Sequence, residues 1–137
     1  MDRLTPAQRS YLMSRVRTKD NDLERLVRSE LHRKGCRFMK NVRTLPGSPD
    51  IVLSREKIAV FIDGDFWHGY RLPAWEKTLQ PFWRDKIRRN RQRDLSNFRK
   101  LRRRGWRVVR LWEHEIKHDL KTCVSRVVSL LNVRRSV

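Results

Sequence analysis

Acidic residues are scarce in this 137-residue chain: fifteen Asp and Glu stand against thirty-four Lys and Arg, which leaves a formal charge of +19 at pH 7. Such an imbalance repels itself unless a polyanion lies against the protein, so nucleic acid is the leading partner. Ribosomal tails and membrane-surface peptides can be as basic, but they lack five tryptophans and an orderly core pattern. Cysteine is almost absent. Cys36 and Cys123 lie far apart with no C-x-x-C spacing, which excludes a disulfide framework and a zinc knuckle and leaves two reduced, buried thiols as the expectation. No run approaches the ~20 apolar residues of a membrane span, and Met1-Asp2-Arg3-Leu4 begins no signal peptide, so a cytoplasmic protein without a membrane partner is expected.

What is present reads as one α/β domain of residues 19–137 behind a basic helical arm of residues 1–18, with no repeat and no low-complexity linker. Thr5 and Pro6 are suited to open the arm. Asn21 caps a helix whose Leu23, Leu26, Val27 and Leu31 share one face, and Gly35 ends it. Arg37 to Val42 is expected to be a strand. The turn Leu45-Pro46-Gly47-Ser48-Pro49 then delivers Asp50 to the head of Ile51-Val52-Leu53. Ile58 to Ile62 is continuously apolar, as a strand covered on both faces would be, and it stops at Asp63-Gly64. Asp65 to Leu79 reads as irregular. Pro81 opens a long helix closed by Gly105, Trp106 to Trp112 alternates as a strand, and a last helix carries Leu120, Val124, Val127, Val128 and Leu131 on one side.

Two acids, Asp50 and Asp63, terminate adjacent predicted strands and converge on one end of the sheet if those strands pair. Mg²⁺ takes oxygen ligands and keeps several waters, so one or two carboxylates, a backbone carbonyl and a substrate phosphate suffice. Each acid has a plainer reading as a turn residue. Glu24 is in phase with Val27 and Leu31 and could face the sheet, while Asn21-x-x-Glu24 is equally a capping-box spacing. In the long helix Trp83, Ile87, Asn90, Asp94, Phe98 and Leu101 recur at three- and four-residue steps, which puts an acid inside an apolar stripe. A buried acid needs a partner. His68, in the loop after the central strand, is the candidate, since a carboxylate-oriented imidazole is a common general base. The remaining faces carry Lys86, Arg88, Arg89, Arg93 and further arginines, too one-sided for intrahelical pairing and suited to phosphates. Phe66 and Trp67 are either core aromatics or wedges that unstack base steps.

Pro49-Asp50, Val60-Phe61-Ile62-Asp63-Gly64, Phe66-Trp67-His68, Phe82-Trp83-x-x-Lys86-Ile87-x-x-Asn90-x-x-Arg93-Asp94 and Gly105-Trp106-x-Val108 together resemble the very short patch repair (Vsr) endonucleases. The resemblance runs from the second helix to Trp112-Glu113. It implies a restriction-endonuclease-like fold, related to the PD-(D/E)xK enzymes, with a central mixed sheet flanked by helices. It also implies a Mg²⁺-dependent, monomeric, nucleoid-associated enzyme that nicks double-stranded DNA 5′ of the thymine in a T:G mismatch. By position, Asp50 becomes the metal-binding carboxylate with the backbone carbonyl of Ile62 helping, His68 the general base, Asp94 its orienting acid and Glu24 an auxiliary acid. Phe66, Trp67 and Trp83 become intercalating aromatics, with Lys86, Arg88, Arg89, Asn90 and Arg93 beside them on the DNA.

Where the family commonly holds a structural zinc, this chain has Asp65, Tyr70, Leu72 and His114, of which Asp65 and His114 could still touch. Two potential ligands do not close a tetrahedral site, so no structural zinc is expected. Asp63 stands where members carry His or Asp, and either metal binding or action on the leaving group is open to it. Rival readings are a Vsr-like homing or restriction-associated enzyme that recognises a sequence, a binding module without catalysis, and an RNA-directed enzyme.

Overall fold

A computed structural model describes residues 22–65 and 68–135. The expected basic arm, residues 1–18, and the pair Phe66 and Trp67 lie outside the described residues. Helix α1, Asp22–Arg33, buries Leu23, Val27 and Leu31, and Gly35 closes it at φ 76, a left-handed turn that glycine enters without Cβ strain. Strand β1 is confined to Met39–Lys40, against the six residues expected, because Asn41 turns into positive φ at 49. The Asn41 and Val42 amides nevertheless continue the ladder, donating to the carbonyls of Asp50 and Pro49.

Strands β2, Ile51–Leu53, and β3, Ile58–Asp63, are buried at every residue, as a continuous apolar run requires when both faces are covered. Residues 68–79 are more regular than expected: a short helix α2, Leu72–Trp75, runs into a 3₁₀ turn, Glu76–Thr78. Leu72 and Leu79 from this segment pack on Ile87, giving it an apolar anchor that its irregular sequence pattern conceals. Helix α3 spans Pro81–Arg103, and Gly105 follows at φ 88. Strand β4, Arg107–Trp112, leads directly into helix α4, Glu113–His118, an element the sequence pattern does not announce. Asp119 breaks the helical path and receives the Thr122 amide on its carboxylate at 3.1 Å, which caps helix α5, Leu120–Arg135.

The sheet order is β1-β2-β3-β4, with the first two pairings antiparallel and β3 parallel to β4. α3 is the crossover that a parallel pair needs. Side-chain alternation along β3 divides the core. Ile58, Val60 and Ile62 pack with Val109 and Leu111 beneath α1, α4 and α5, whereas Ala59 and Phe61 meet Phe98 and Leu101 of α3 on the other face. Each of these large apolar side chains contributes roughly 1.5–3 kcal/mol by leaving water. Asp63 extends the α3-facing row to the carboxyl end of β3. Cys36 and Cys123 are free and buried. No helix among the described residues is long and apolar enough to cross a membrane.

Candidate active site

The turn before β2 aims Asp50 at the end of β3. Gly47, at φ 79, is required there, since a Cβ would come within 3.0 Å of the Phe61 ring and 3.2 Å of Asn97. The Asp50 amide donates to the Val60 carbonyl at 3.0 Å, and its Oδ2 accepts the Ile62 amide at 2.7 Å. Glu24, only 1% exposed, meets Asp50 from α1, so its carboxylate faces inward toward the sheet as one of the two readings required. Asn21, its partner in the other reading, lies outside the described residues. Burial, joined by the charge and hydrogen bond of Glu24 and by the charge of Asp63, pushes the Asp50 carboxyl up to about 8 against the pull of the Ile62 amide. Arg28 gives Glu24 a partial counter-charge at 3.2 Å.

Beside this pair stands a second cluster. His68 Nδ1 lies 2.7 Å from Asp94 Oδ2, and its Nε2 lies 3.4 Å from Asp63 Oδ1. The expected pairing of the long helix with the loop after β3 is therefore present, carried by the acid in the apolar stripe. Gly69 makes the approach feasible: at φ 69 it sits so near α3 that a Cβ would meet Ile87 Cγ2 at 3.1 Å. Asp63 is 5% exposed, and burial raises its carboxyl even though His68 and Arg110 pull the other way. Asp63, His68 and Asp94 present ligand atoms within 4.8 Å of one another.

Two contributors escaped the sequence reading. Arg110 donates from Nε to Asp63 and from Nη2 to Asp94, each at 2.8 Å. The available signal was a charged residue between Val108 and Trp112 on one face of a strand, where an apolar side chain is the norm. Glu113, 2% exposed, accepts the Asp65 amide at 3.3 Å and the Lys117 ammonium at 2.9 Å, tying the His68 loop to α4. Asp65 and His114 do touch, Oδ1 to Nδ1 at 2.8 Å, with the Tyr70 ring 4.3 Å from the imidazole. Leu72, the remaining residue of that set, is buried in the small cluster with Leu79 and Ile87.

Along α3, Trp83 packs on that same small cluster and carries Lys86 over its ring at 5.9 Å. Arg93 donates to Asn90 at 2.9 Å, and Arg88, expected on phosphate, is paired with Glu76 of the 3₁₀ turn. The structure thus brings Glu24, Asp50, Ile62, Asp63, His68 and Asp94 to one end of the sheet, with the α3 residues adjoining.

Residues 1–74 match the family model described as DNA mismatch endonuclease Vsr, a stretch that reaches from the chain start through β3 and the His68 loop. The type II nicking enzyme V.XorIIP of Xanthomonas oryzae pv. oryzae is 40% identical over 133 residues, which cover 96% of this chain and 97% of that one. The type II nicking enzyme V.NmeDIP of Neisseria meningitidis serogroup C is 35% identical over 93% of this chain and 88% of its own. The DNA mismatch endonuclease Vsr of Escherichia coli is 35% identical over 78% of this chain and 70% of its own. Together with a buried acid pair set beside a carboxylate-held imidazole, these matches show that the chain belongs to the Vsr family of DNA endonucleases.

Proposed function

We propose that this protein nicks one strand of duplex DNA at a T:G mismatch, using a divalent cation, Mg²⁺, and acting as a monomer on a restriction-endonuclease-like sheet. The observation that supports it most is the His68–Asp94 contact at 2.7 Å beside the buried Glu24–Asp50 pair. A hard cation fits that pair. Asp50 holds its proton up to about 8 chiefly because it is buried and then because Glu24 lies against it, and a dication would stabilise the ionised form against both. Asp50 would hold the ion, with the Ile62 carbonyl and Glu24 beside it. When bound, Mg²⁺ polarises the phosphoryl oxygen and stabilises charge on the leaving oxygen.

The chain's own residues do the rest. Asp94 accepts the Nδ1 proton of His68 and so leaves Nε2 as the nitrogen that takes the proton of the attacking water. Glu113 and the Asp65–His114 contact keep the loop carrying that imidazole against α4. On α3, Lys86, Arg89 and Arg93 take phosphates, Arg88 joins them if it leaves Glu76, and Asn90 lies among them. Trp83, with Phe66 and Trp67, supplies aromatic surface beside the mismatched step. The basic segment of residues 1–18 clasps the duplex.

A second reading, in which a sequence rather than a mismatch is recognised, is favoured by the naming of V.XorIIP and V.NmeDIP as type II nicking enzymes. One assay separates the two. A labelled duplex with a single T:G mismatch and its matched T:A twin are incubated in Mg²⁺ or in EDTA with wild type and Asp50→Ala. Cutting of one strand of the mismatched duplex alone, only with metal and only by wild type, supports mismatch nicking. Equal cutting of both duplexes transfers the case to sequence recognition, and cutting by Asp50→Ala removes that residue from the reaction.

A further inference from the structure

Arg110 leaves β4 on the same face as Asp63, since Phe61 pairs with Arg110 and Asp63 with Trp112 across the parallel ladder. Its guanidinium binds both acids that flank the imidazole. Nε reaches Asp63 Oδ2 and Nη2 reaches Asp94 Oδ2, the oxygen that also contacts His68 Nδ1. The guanidinium carbon lies 4.1 Å from the centre of the Trp112 ring and 5.1 Å from that of Phe98, so the group is fixed between aromatic side chains as well as by hydrogen bonds.

That placement bears on where a cation can bind. Asp63, His68 and Asp94 bring three ligand atoms within 4.8 Å of one another, a spacing a divalent ion could use. Arg110 already directs two N–H groups at those carboxylates and puts a permanent positive charge beside them. A dication entering there would have to displace those hydrogen bonds and sit against the guanidinium. At the Glu24–Asp50 corner Arg28 donates to Glu24 at 3.2 Å, but among the described residues no guanidinium reaches Asp50, whose polar contacts are the Ile62 amide and the Glu24 carboxylate.

We propose that Arg110 is a positioning residue with two linked effects: it aligns Asp94 to hold His68, and it bars a divalent cation from the Asp63–His68–Asp94 cluster, keeping the imidazole a base rather than a ligand. The kinetic half rests on the nuclease reading above; the cation half stands without it. The test counts Mn²⁺ bound to the full chain, without DNA, by electron paramagnetic resonance. In the wild-type background Asp63→Asn is expected to leave Mn²⁺ affinity within about twofold, while Asp50→Asn lowers it at least tenfold. Arg110→Met, which keeps an apolar stem between Trp112 and Phe98, is expected to gain a second Mn²⁺ site, and adding His68→Ala should abolish that gain.

In single-turnover nicking, Arg110→Met should lose about a hundredfold in rate at unchanged duplex affinity, with Arg110→Lys recovering part of it. Loss of Mn²⁺ binding in Asp63→Asn would overturn the proposal by making the cluster the cation site. An unchanged Mn²⁺ count in folded Arg110→Met would overturn cation exclusion, and a wild-type nicking rate in that variant would overturn the positioning role. If Arg110→Met does not fold, the Asp63→Asn and Asp50→Asn affinities still decide where the cation sits. If wild type nicks no duplex, the nuclease reading and the kinetic half fail with it, while the Mn²⁺ count continues to decide cation exclusion by Arg110.

Discussion

Replacing Asp50 by Asn is expected to stabilise the metal-free protein, and the gain should grow with pH. In the fold the carboxyl is raised from 3.8 to about 8, chiefly by burial and then by Glu24, while the unfolded chain keeps the ordinary value. A group raised on folding makes its full contribution below the unfolded value and loses it as pH climbs toward the folded one. Well below the unfolded value of 3.8 both states hold the proton. Above that, each unit adds ~1.4 kcal/mol of penalty until the folded group itself ionises, which makes roughly 4 kcal/mol the ceiling at neutrality.

Asn fits the same space, accepting the Ile62 amide through Oδ1 and donating to Glu24 through Nδ2. It would not recover the whole ceiling, because Glu24 stays buried, so a gain of ~2 kcal/mol, or about 6 °C in Tm, is the expected size for a chain this long. Thermal unfolding in EDTA near pH 5 and near pH 8 measures it. Wild type should lose more stability across that interval than Asp50→Asn, which keeps only the loss contributed by the raised Asp63 carboxyl; Mg²⁺ should raise the wild-type Tm near pH 8 and leave that of the variant unmoved. Parallel pH curves for the two proteins would refute the argument that Asp50 is strained by burial against Glu24.

Other consequences can be checked separately. His68→Ala and Asp94→Asn should each slow single-turnover nicking by about 10²–10⁴-fold with duplex binding retained, and the double variant should be little worse than either, since one acts through the other. Gly69→Ala should lower both stability, by ~2 kcal/mol, and nicking rate, because it adds positive-φ strain and a contact at 3.1 Å from Ile87. Gly105→Ala, with nothing closer than Lys57 Nζ at 3.9 Å, should cost only about 1 kcal/mol in chemical denaturation and leave nicking intact. Duplex affinity should fall steeply with salt, and Arg89→Ala should reduce the slope of log K against log salt by about 1; an unchanged slope would take Arg89 off the phosphates.

Much of the fold was legible because the periods are clean. The unbroken Ile58–Ile62 run could only be a strand covered twice, and the stripe from Trp83 to Leu101 set both the length of α3 and the inward direction of Asp94. Charge alone named the partner class, and the ordered motifs around Asp50, His68 and Asp94 named the family. Less legible were the places where packing overrides local pattern. β1 shrank at Asn41, and residues 72–78 became helical because Leu72 and Leu79 found Ile87, a partner in the following helix that no local window reveals.

At the site, the chain by itself determined which acids and which histidine were available, and at which strand ends and helix face they would appear. Only the tertiary structure decided how they divide. Glu24 faces inward because α1 packs over the sheet against Asp50, a contact that its spacing in the sequence could not reveal. Arg110 became part of the site only because β4 lies parallel to β3 in a register that sets it beside Asp63, across nearly fifty residues of intervening chain. Hydrogen bonds between distant segments depend on register and on burial, and neither quantity is encoded at a single position, so the division into an acid corner and a guanidinium-held imidazole emerges only when the sheet is assembled.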